Sequence, residues 1–274
     1  MKISYLYFPQ WQGSGNDLAI YKGSEQIFNR LESKFSFQSI SVTTETGLND
    51  VDGILGKFTI KSQIENQKNI IDGESPFKIF TLGGDCSVDL IPVTYLNQKY
   101  NGDLGVIWFD AHGDLNTPES SPSKTFHGMP LRLILGDGDS DFTKLAYPKL
   151  NPNQVILAGV RDLDQPEKDF INENQVETVT VDSINNNLLI EKIKKSGRNN
   201  LYLHIDLDVI DPNENPFVKC PTINGIFIDD LRVQLNQLIL NYNIVGVSFV
   251  EAIEMDSTRL QNINNLIAET LKRF

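Results

Sequence analysis

Short apolar runs alternate along this chain with longer stretches of mixed polarity. The runs occupy residues 3–8, 53–55, 77–82, 105–109, 154–160, 177–181, 201–205 and 244–250. Most are rich in Ile, Val, Leu and Phe, as expected of strands buried on both faces. The stretches at 18–35, 87–100, 188–196, 229–242 and 257–272 carry apolar residues at helical spacing. Asp229 and Ser257 stand where N-caps belong. This alternation predicts one three-layer α-β-α domain spanning residues 1–274, built on a mostly parallel sheet of about eight strands. The Asn-rich pieces, Asn185-Asn186-Asn187 and Asn199-Asn200, read as surface turns. In such sheets ligands bind beyond the carboxyl ends of the strands.

Four acidic segments fall at those ends: Gly83-Gly84-Asp85-Cys86, Asp110-Ala111-His112-Gly113-Asp114, Arg161-Asp162-Leu163-Asp164 and His204-Ile205-Asp206-Leu207-Asp208. Carboxylates on alternate residues just past a strand leave it pointing the same way, so several strands can aim oxygen ligands at one spot. A single Asp-x-Asp after a strand is more often a turn or a helix cap. Two such segments with His112 between them point instead to a pair of hard divalent cations sharing carboxylates. Oxygen-rich ligation with one or two nitrogens suits Mn²⁺ better than zinc. Only three histidines occur, and His112 and His204 flank these carboxylates, with His127 following soon after.

Composition narrows the partners. The formal net charge of −12 argues against nucleic acid or an anionic membrane surface and is compatible with a cationic substrate. No apolar run is long enough to span a bilayer. The start, Met1-Lys2-Ile3-Ser4-Tyr5-Leu6, reads as a first strand without the long apolar core of a signal peptide. Two cysteines, Cys86 and Cys220, make no disulfide framework. A cytoplasmic location is expected.

Three motifs in order, Gly83-Gly84-Asp85-x-Ser87, Asp110-Ala111-His112-x-Asp114-x-Asn116 and Asp206-x-Asp208 with Asp211-Pro212, make the chain resemble the arginase/agmatinase (ureohydrolase) family from about residue 80 to residue 251. The resemblance implies an α/β sheet carrying two Mn²⁺ ions and hydrolysis of a guanidinium or related amidine to urea, or its analogue, and an amine. Asp110 and Asp206 would bridge the metals, Cys86 and Asp114 would complete one position, and His112 and Asp208 the other. Two such ions would lower the pKa of a bridging water, whose hydroxide attacks the guanidinium carbon. Cys86 is the departure, because the family's usual residue there is His. A thiolate is a softer ligand, which leaves open a weaker first position, a different metal, or an empty one.

His127 resembles the family's proton-shuttling histidine, and its ordinary pKa of about 6.5 suits that task. Glu251 matches the carboxylate that pairs with the guanidinium, with Glu254 a competitor three residues on. Asp114, His127 and Glu251 form the implied catalytic set. Asp162, Asp164 and Glu167 resemble the acidic loop with which the arginase branch receives an α-amino group; they also fit a surface turn capping the next helix. Ser123 survives from that branch's carboxylate-reading stretch, but its Gly and Asn do not, and Lys124 stands nearby. By alternation His204 lies on the ligands' face one pleat deeper, either supporting the site or satisfied in the core. Cys220 and the loop of Trp11 and residues 13–15 are further candidates for the pocket rim.

The leading reading is an arginase-like hydrolase of arginine or a close relative. Runners-up act on agmatine, formimidoylglutamate or peptide arginine. A non-catalytic relative with an impaired first metal position is a separate class, supported by Cys86 alone. A homo-oligomer, trimer or hexamer, follows from the resemblance.

Overall fold

The apolar runs form a sheet in which every neighbouring pair is parallel. The computed structural model describes residues 2–185 and 188–274. The strands are β1 (Ile3–Phe8), β2 (Gln38–Ser39), β3 (Asp50–Val51), β4 (Ile54–Leu55), β5 (Lys78–Gly83), β6 (Gly105–Phe109), β7 (Val155–Ala158), β8 (Glu177–Val179), β9 (Asn200–Asp206) and β10 (Asn243–Val250). The main sheet runs β2-β1-β5-β10-β9-β6-β7-β8. Its eight members differ from the expected eight in one place. Residues 53–55 do not join the sheet, because β4 pairs antiparallel with β3, and the edge position is taken by β2.

Helices cover both faces: α1 (Ala19–Leu31), α2 (Lys57–Glu74), α3 (Leu90–Lys99), α4 (Pro130–Ile134), α5 (Ser140–Leu145), α6 (Gln165–Asn174), α7 (Val181–Asn185), α8 (Leu188–Ser196), α9 (Ile228–Asn241) and α10 (Ser257–Arg273). Alternate strand residues feed two cores. Phe80, Ile107, Leu203 and Val247 pack with α9 and α10 residues such as Leu235 and Ile263. Ile79, Trp108 and Tyr202 pack on the other face with Ile60 and Ile64 of α2 and Ile91 of α3.

The longest helix, α2, escapes the periodicity because its inward face includes Gln63 and Gln67. Both are buried, with Gln67 donating to the Val88 carbonyl and Gln63 to the side chains of Gln10 and Gln12. Two expected caps shift by a residue or two. Asp256, not Ser257, caps α10 by accepting from the Thr258 and Arg259 amides, and Asp229 lies within the first turn of α9. Asn200 opens β9 instead of lying in a turn, and Asn186 and Asn187 lie outside the described residues. Among the described residues no helix is long and apolar enough to cross a membrane.

The register brings the acidic segments together. Trp108 on β6 faces His204 on β9, which faces Ser248 on β10, so Asp110, Asp206 and Glu251 leave adjacent strands at the same edge. β5 lies beside β10 and delivers Cys86 to the same place.

Candidate metal centre

The turn after β5 requires glycine at position 84, where a Cβ would fall 1.8 Å from the Gln10 carbonyl oxygen. That close approach lets the Asp85 amide donate to the same oxygen (2.7 Å) and sets Asp85 to accept from the amides of Ser87 (3.0 Å) and Gly13 (2.8 Å). The next residue, Cys86, is buried; its thiol donates to Asp206 Oδ2 (3.1 Å) and its amide to Glu251 Oε1 (3.0 Å).

Past β6, Asp110 accepts from the His112 amide (2.6 Å) and from Trp108 Nε1 (3.1 Å). His112 Nδ1 lies 2.9 Å from Asp208 Oδ2 and 3.4 Å from Asp110 Oδ1, while the Ala111 amide donates to Asp208 Oδ1 (3.0 Å). Asp206 folds back to accept from the Asp208 amide (2.7 Å). Asp114 and Glu251 hold left-handed backbone conformations at φ 53° and 66°. Such strain in non-glycine residues concentrates at functional sites.

Three donor groups result, each with its ligand atoms within 4.8 Å of one another: Asp110, His112 and Asp208; Cys86, Asp206 and Glu251; and Cys86, Asp110, Asp114 and His204. Asp114 Oδ2 is buried without a hydrogen-bond partner. These donors fit two divalent ions, with Asp110 common to two groups and Asp206 touching Cys86.

A cavity of about 220 Å³ opens above them. His112, Asp114 and Asp206 line it, joined by His127, Ser121, Ser123, Thr125, Asn116, Asp162, Asp164, Glu167 and Cys220. Asp162 is exposed, with its Oδ2 3.9 Å from His112 Nε2. Asp164 and Glu167 line the cavity and also form a capping box that starts α6. Glu167 accepts from the Asp164 and Leu115 amides (2.9 and 3.1 Å), and Asp164 from Asn116 Nδ2 (3.0 Å). Ser123 bonds the Thr125 hydroxyl. Lys124 holds a left-handed backbone conformation at φ 59°, donates to the Pro118 carbonyl and does not line the cavity.

His127 Nδ1 lies 3.2 Å from Glu251 Oε1. Glu251 is only 1% exposed and does not line the cavity; it sits behind His127 and also accepts from the Ser14 hydroxyl. Glu254 is exposed, so the register places Glu251 at the site. Trp11 is fully buried, and its loop joins the site through the Gly13 amide to Asp85 and the Ser14 hydroxyl to Glu251 instead of lining the cavity. Arg161 donates to the carbonyls of Gly159, Asp208, Thr222 and Ile223. Ser14, which holds Glu251, lies in the loop expected at the pocket rim, whereas Asp89, which holds His204, was not marked by spacing.

Residues 22–268 match the model of the arginase family. The chain belongs to that family. A Staphylococcus aureus (strain COL) arginase is 32% identical over 243 residues, covering 86% of this chain and 77% of the relative. The arginase of Entamoeba histolytica, solved in complex with L-ornithine, has a TM-score of 0.87 at 25% identity and covers 98% of both chains. Native Bacillus caldovelox arginase has a TM-score of 0.82 at 28% identity, covering 99% of this chain and 98% of that one.

Electrostatics of this arginase-family site favour bound cations. Burial first, and neighbouring carboxylates second, push Asp114 and Asp206 well above the usual carboxylate range; Asp110 is raised for the same reasons. Burial and Glu251 hold Asp85 up at about 7. Burial and the same carboxylates push the Cys86 thiol up. Burial would also raise Asp208, but His112 outweighs it and holds this carboxyl low. His112 and His127 are raised despite burial, by Asp110 and Asp208 and by Glu251 respectively. Packed acids of this kind are relieved by divalent cations.

A pH signature follows for the metal-free protein. A carboxyl that keeps its proton to higher pH in the fold than in the unfolded chain stabilises most below the unfolded value near 4, and loses that contribution as pH rises through the folded value. Asp85 sets that window at about pH 4 to 7. The raised histidines act with the same sign above about 6.5, and the depressed Asp208 acts below 3.8, outside the window. In EDTA, Tm is therefore expected to fall by several degrees between pH 5.5 and 8. Saturating divalent ion should reverse the slope, because its donors must be deprotonated. Thermal scans with and without chelator check this; a Tm that stays flat or rises in EDTA contradicts it.

Proposed function

We propose that the protein hydrolyses the guanidinium C–N bond of arginine or a close relative, releasing urea and an amine. The observation that carries this reading is the convergence of Asp110, His112, Asp114, Asp206, Asp208 and Cys86 beneath an acid-walled cavity. Divalent ions held there would bring the pKa of coordinated water into the neutral range, which attack on a guanidinium carbon needs. The position built from Asp110, His112 and Asp208, with Asp206 shared from the neighbouring group, would be nearly all oxygen and suits Mn²⁺.

The chain's own groups supply the rest. His127 faces the cavity and hands a proton to the departing amine, while Glu251 behind it orients the ring and favours its protonated form. Contact between Glu251 and the guanidinium requires His127 or Cys86 to shift, after which a bidentate pair suits that planar cation. Asp162, Asp164 and Glu167 offer negative charge to an α-ammonium group, and Ser123 and Thr125 offer hydroxyls to the far end of the substrate. The L-ornithine held by the Entamoeba histolytica arginase supports an amino acid product.

One observation favours a second reading. Among the described residues no Lys or Arg lines the cavity, and Lys124 is tied to Pro118, so a guanidino compound lacking the carboxylate, such as agmatine, is the next candidate. Urea and amine release after incubation with Mn²⁺, measured across arginine, agmatine, guanidinobutyrate, formimidoylglutamate and an arginine-containing peptide, decides between them. Arginine is expected to exceed each of the others at least ~10-fold in kcat/KM, a difference of about 1.4 kcal/mol. Release from none of the five would leave a non-catalytic binding role.

A further inference from the structure

His204 was left by the sequence as a core or supporting residue, and its surroundings assign it a more specific task. The residue is completely buried, and its ring stacks on Trp108 with centroids 3.5 Å apart and planes 8° from parallel. Its Nδ1 lies 2.6 Å from Asp89 Oδ2. Asp89 is itself buried and accepts from the hydroxyls of Tyr202 (2.8 Å) and Ser248, so ring and carboxylate are both held from several sides. Nε2, at the other end of the ring, is buried without a hydrogen-bond partner; Asp110 Oδ2 lies 3.9 Å away, outside hydrogen-bond reach.

That unpartnered nitrogen points into the group formed with Cys86, Asp110 and Asp114, whose ligand atoms all lie within 4.8 Å of one another. Donors sharing one ion at about 2.0–2.3 Å lie at most about 4.6 Å apart, so a modest inward shift lets the four converge on one. A carboxylate on one ring nitrogen with the other left free is also how metal-bound histidines are oriented.

We propose that His204 is a metal ligand. With the Cys86 sulfur, its Nε2 makes the first position a mixed sulfur–nitrogen–oxygen site that takes a borderline ion such as Co²⁺, Fe²⁺ or Zn²⁺ in preference to Mn²⁺. Thiolate and imidazole both favour such ions, while the position around His112 keeps its oxygen-rich character. The two positions therefore differ in metal. This inference rests on the metal-centre reading above.

With only three histidines, the intact protein labelled with ¹⁵N-histidine gives a resolvable imidazole spectrum. On titration of the EDTA-stripped protein with Zn²⁺, both His112 and His204 are expected to move to the shifts of ligated imidazoles, with the His204 proton retained on Nδ1. A His204 signal unmoved through two equivalents, while His112 responds, overturns the inference and leaves the metal centre standing. No response from either, with no metal retained, sinks the metal-centre reading itself.

Three further measurements test the sulfur and the selectivity. Co²⁺-loaded protein should show a near-ultraviolet sulfur-to-cobalt band that is absent in Cys86→Ser; its absence from the unmodified protein overturns the sulfur donor. His204→Gln should weaken Co²⁺ binding in competition titrations by more than the ~10–100-fold expected when only an outer partner is lost. In competition titrations Co²⁺ should be preferred over Mn²⁺ more strongly at the first position than at the second, and Cys86→Ser should shrink that difference; equal preferences at the two positions would contradict the proposal.

Discussion

Asp206→Asn is expected to lower kcat/KM at least ~10³-fold while making the metal-stripped protein more heat-stable. The first effect follows from the position of Asp206 beside Cys86, Asp208 and Glu251, where its charge would serve the proposed ions. A bound ion contributes several kcal/mol to a hydrolytic transition state, and about 4 kcal/mol is a thousandfold in rate. The second effect follows from what the same charge does when no cation is present. Burial and the carboxylates of Asp208 and Asp110 hold Asp206 well above its ordinary pKa, and the Asp208 amide only partly offsets them. Asn retains an oxygen for the Asp208 amide and removes that charge. Steady-state assays with Mn²⁺ and thermal scans in EDTA read the two effects separately. A variant that stays active, or melts lower in EDTA, would count against the site as described.

The second large effect is expected at His127. His127→Asn should cost ~10²–10⁴-fold in kcat, the usual range for a positioned proton donor, with KM changed only a few-fold. The alkaline limb of the pH–rate profile should carry the signature of the pair. Glu251 raises the His127 pKa, so the acid form persists above the ordinary value of 6.5, and kcat falls only as pH passes the raised value. Glu251→Gln removes the stabilising anion and should move that limb to lower pH. An unchanged limb in Glu251→Gln, or a kcat loss below about tenfold in His127→Asn, would remove the proton-transfer role.

Much of the fold was legible because a strand buried on both faces shows as an uninterrupted apolar run. The run at 105–109 coincides with β6, and 201–205 lies inside β9. Short pairings carried no such signal: β2 is two residues long, and residues 53–55 look like a strand while pairing only with β3. Helix α2 was hidden by glutamines doing core duty. The metal-directed carboxylates were readable because they follow their strands directly, so strand register alone brings them together.

What could not be read depends on loop conformation or on side-chain aim. Lys124 is diverted by a left-handed backbone turn. The choice between Glu251 and Glu254 rests on β10 ending at Val250. Alternation gave His204 its face of the strand, but only Asp89, reaching across from the start of α3, shows which way the ring is turned.

Arg161 ties the segment beside the cavity residue Cys220 to the turn after β9. One guanidinium holds carbonyls of Thr222 and Ile223, beside the rim residue Cys220, together with the carbonyl of Asp208. Widening the opening for a bulkier guest would thus tug on the backbone of Asp208, a candidate metal ligand. Lineages exploring new substrates from this scaffold would have to trade guest size against grip on the ion, unless they first cut that tether.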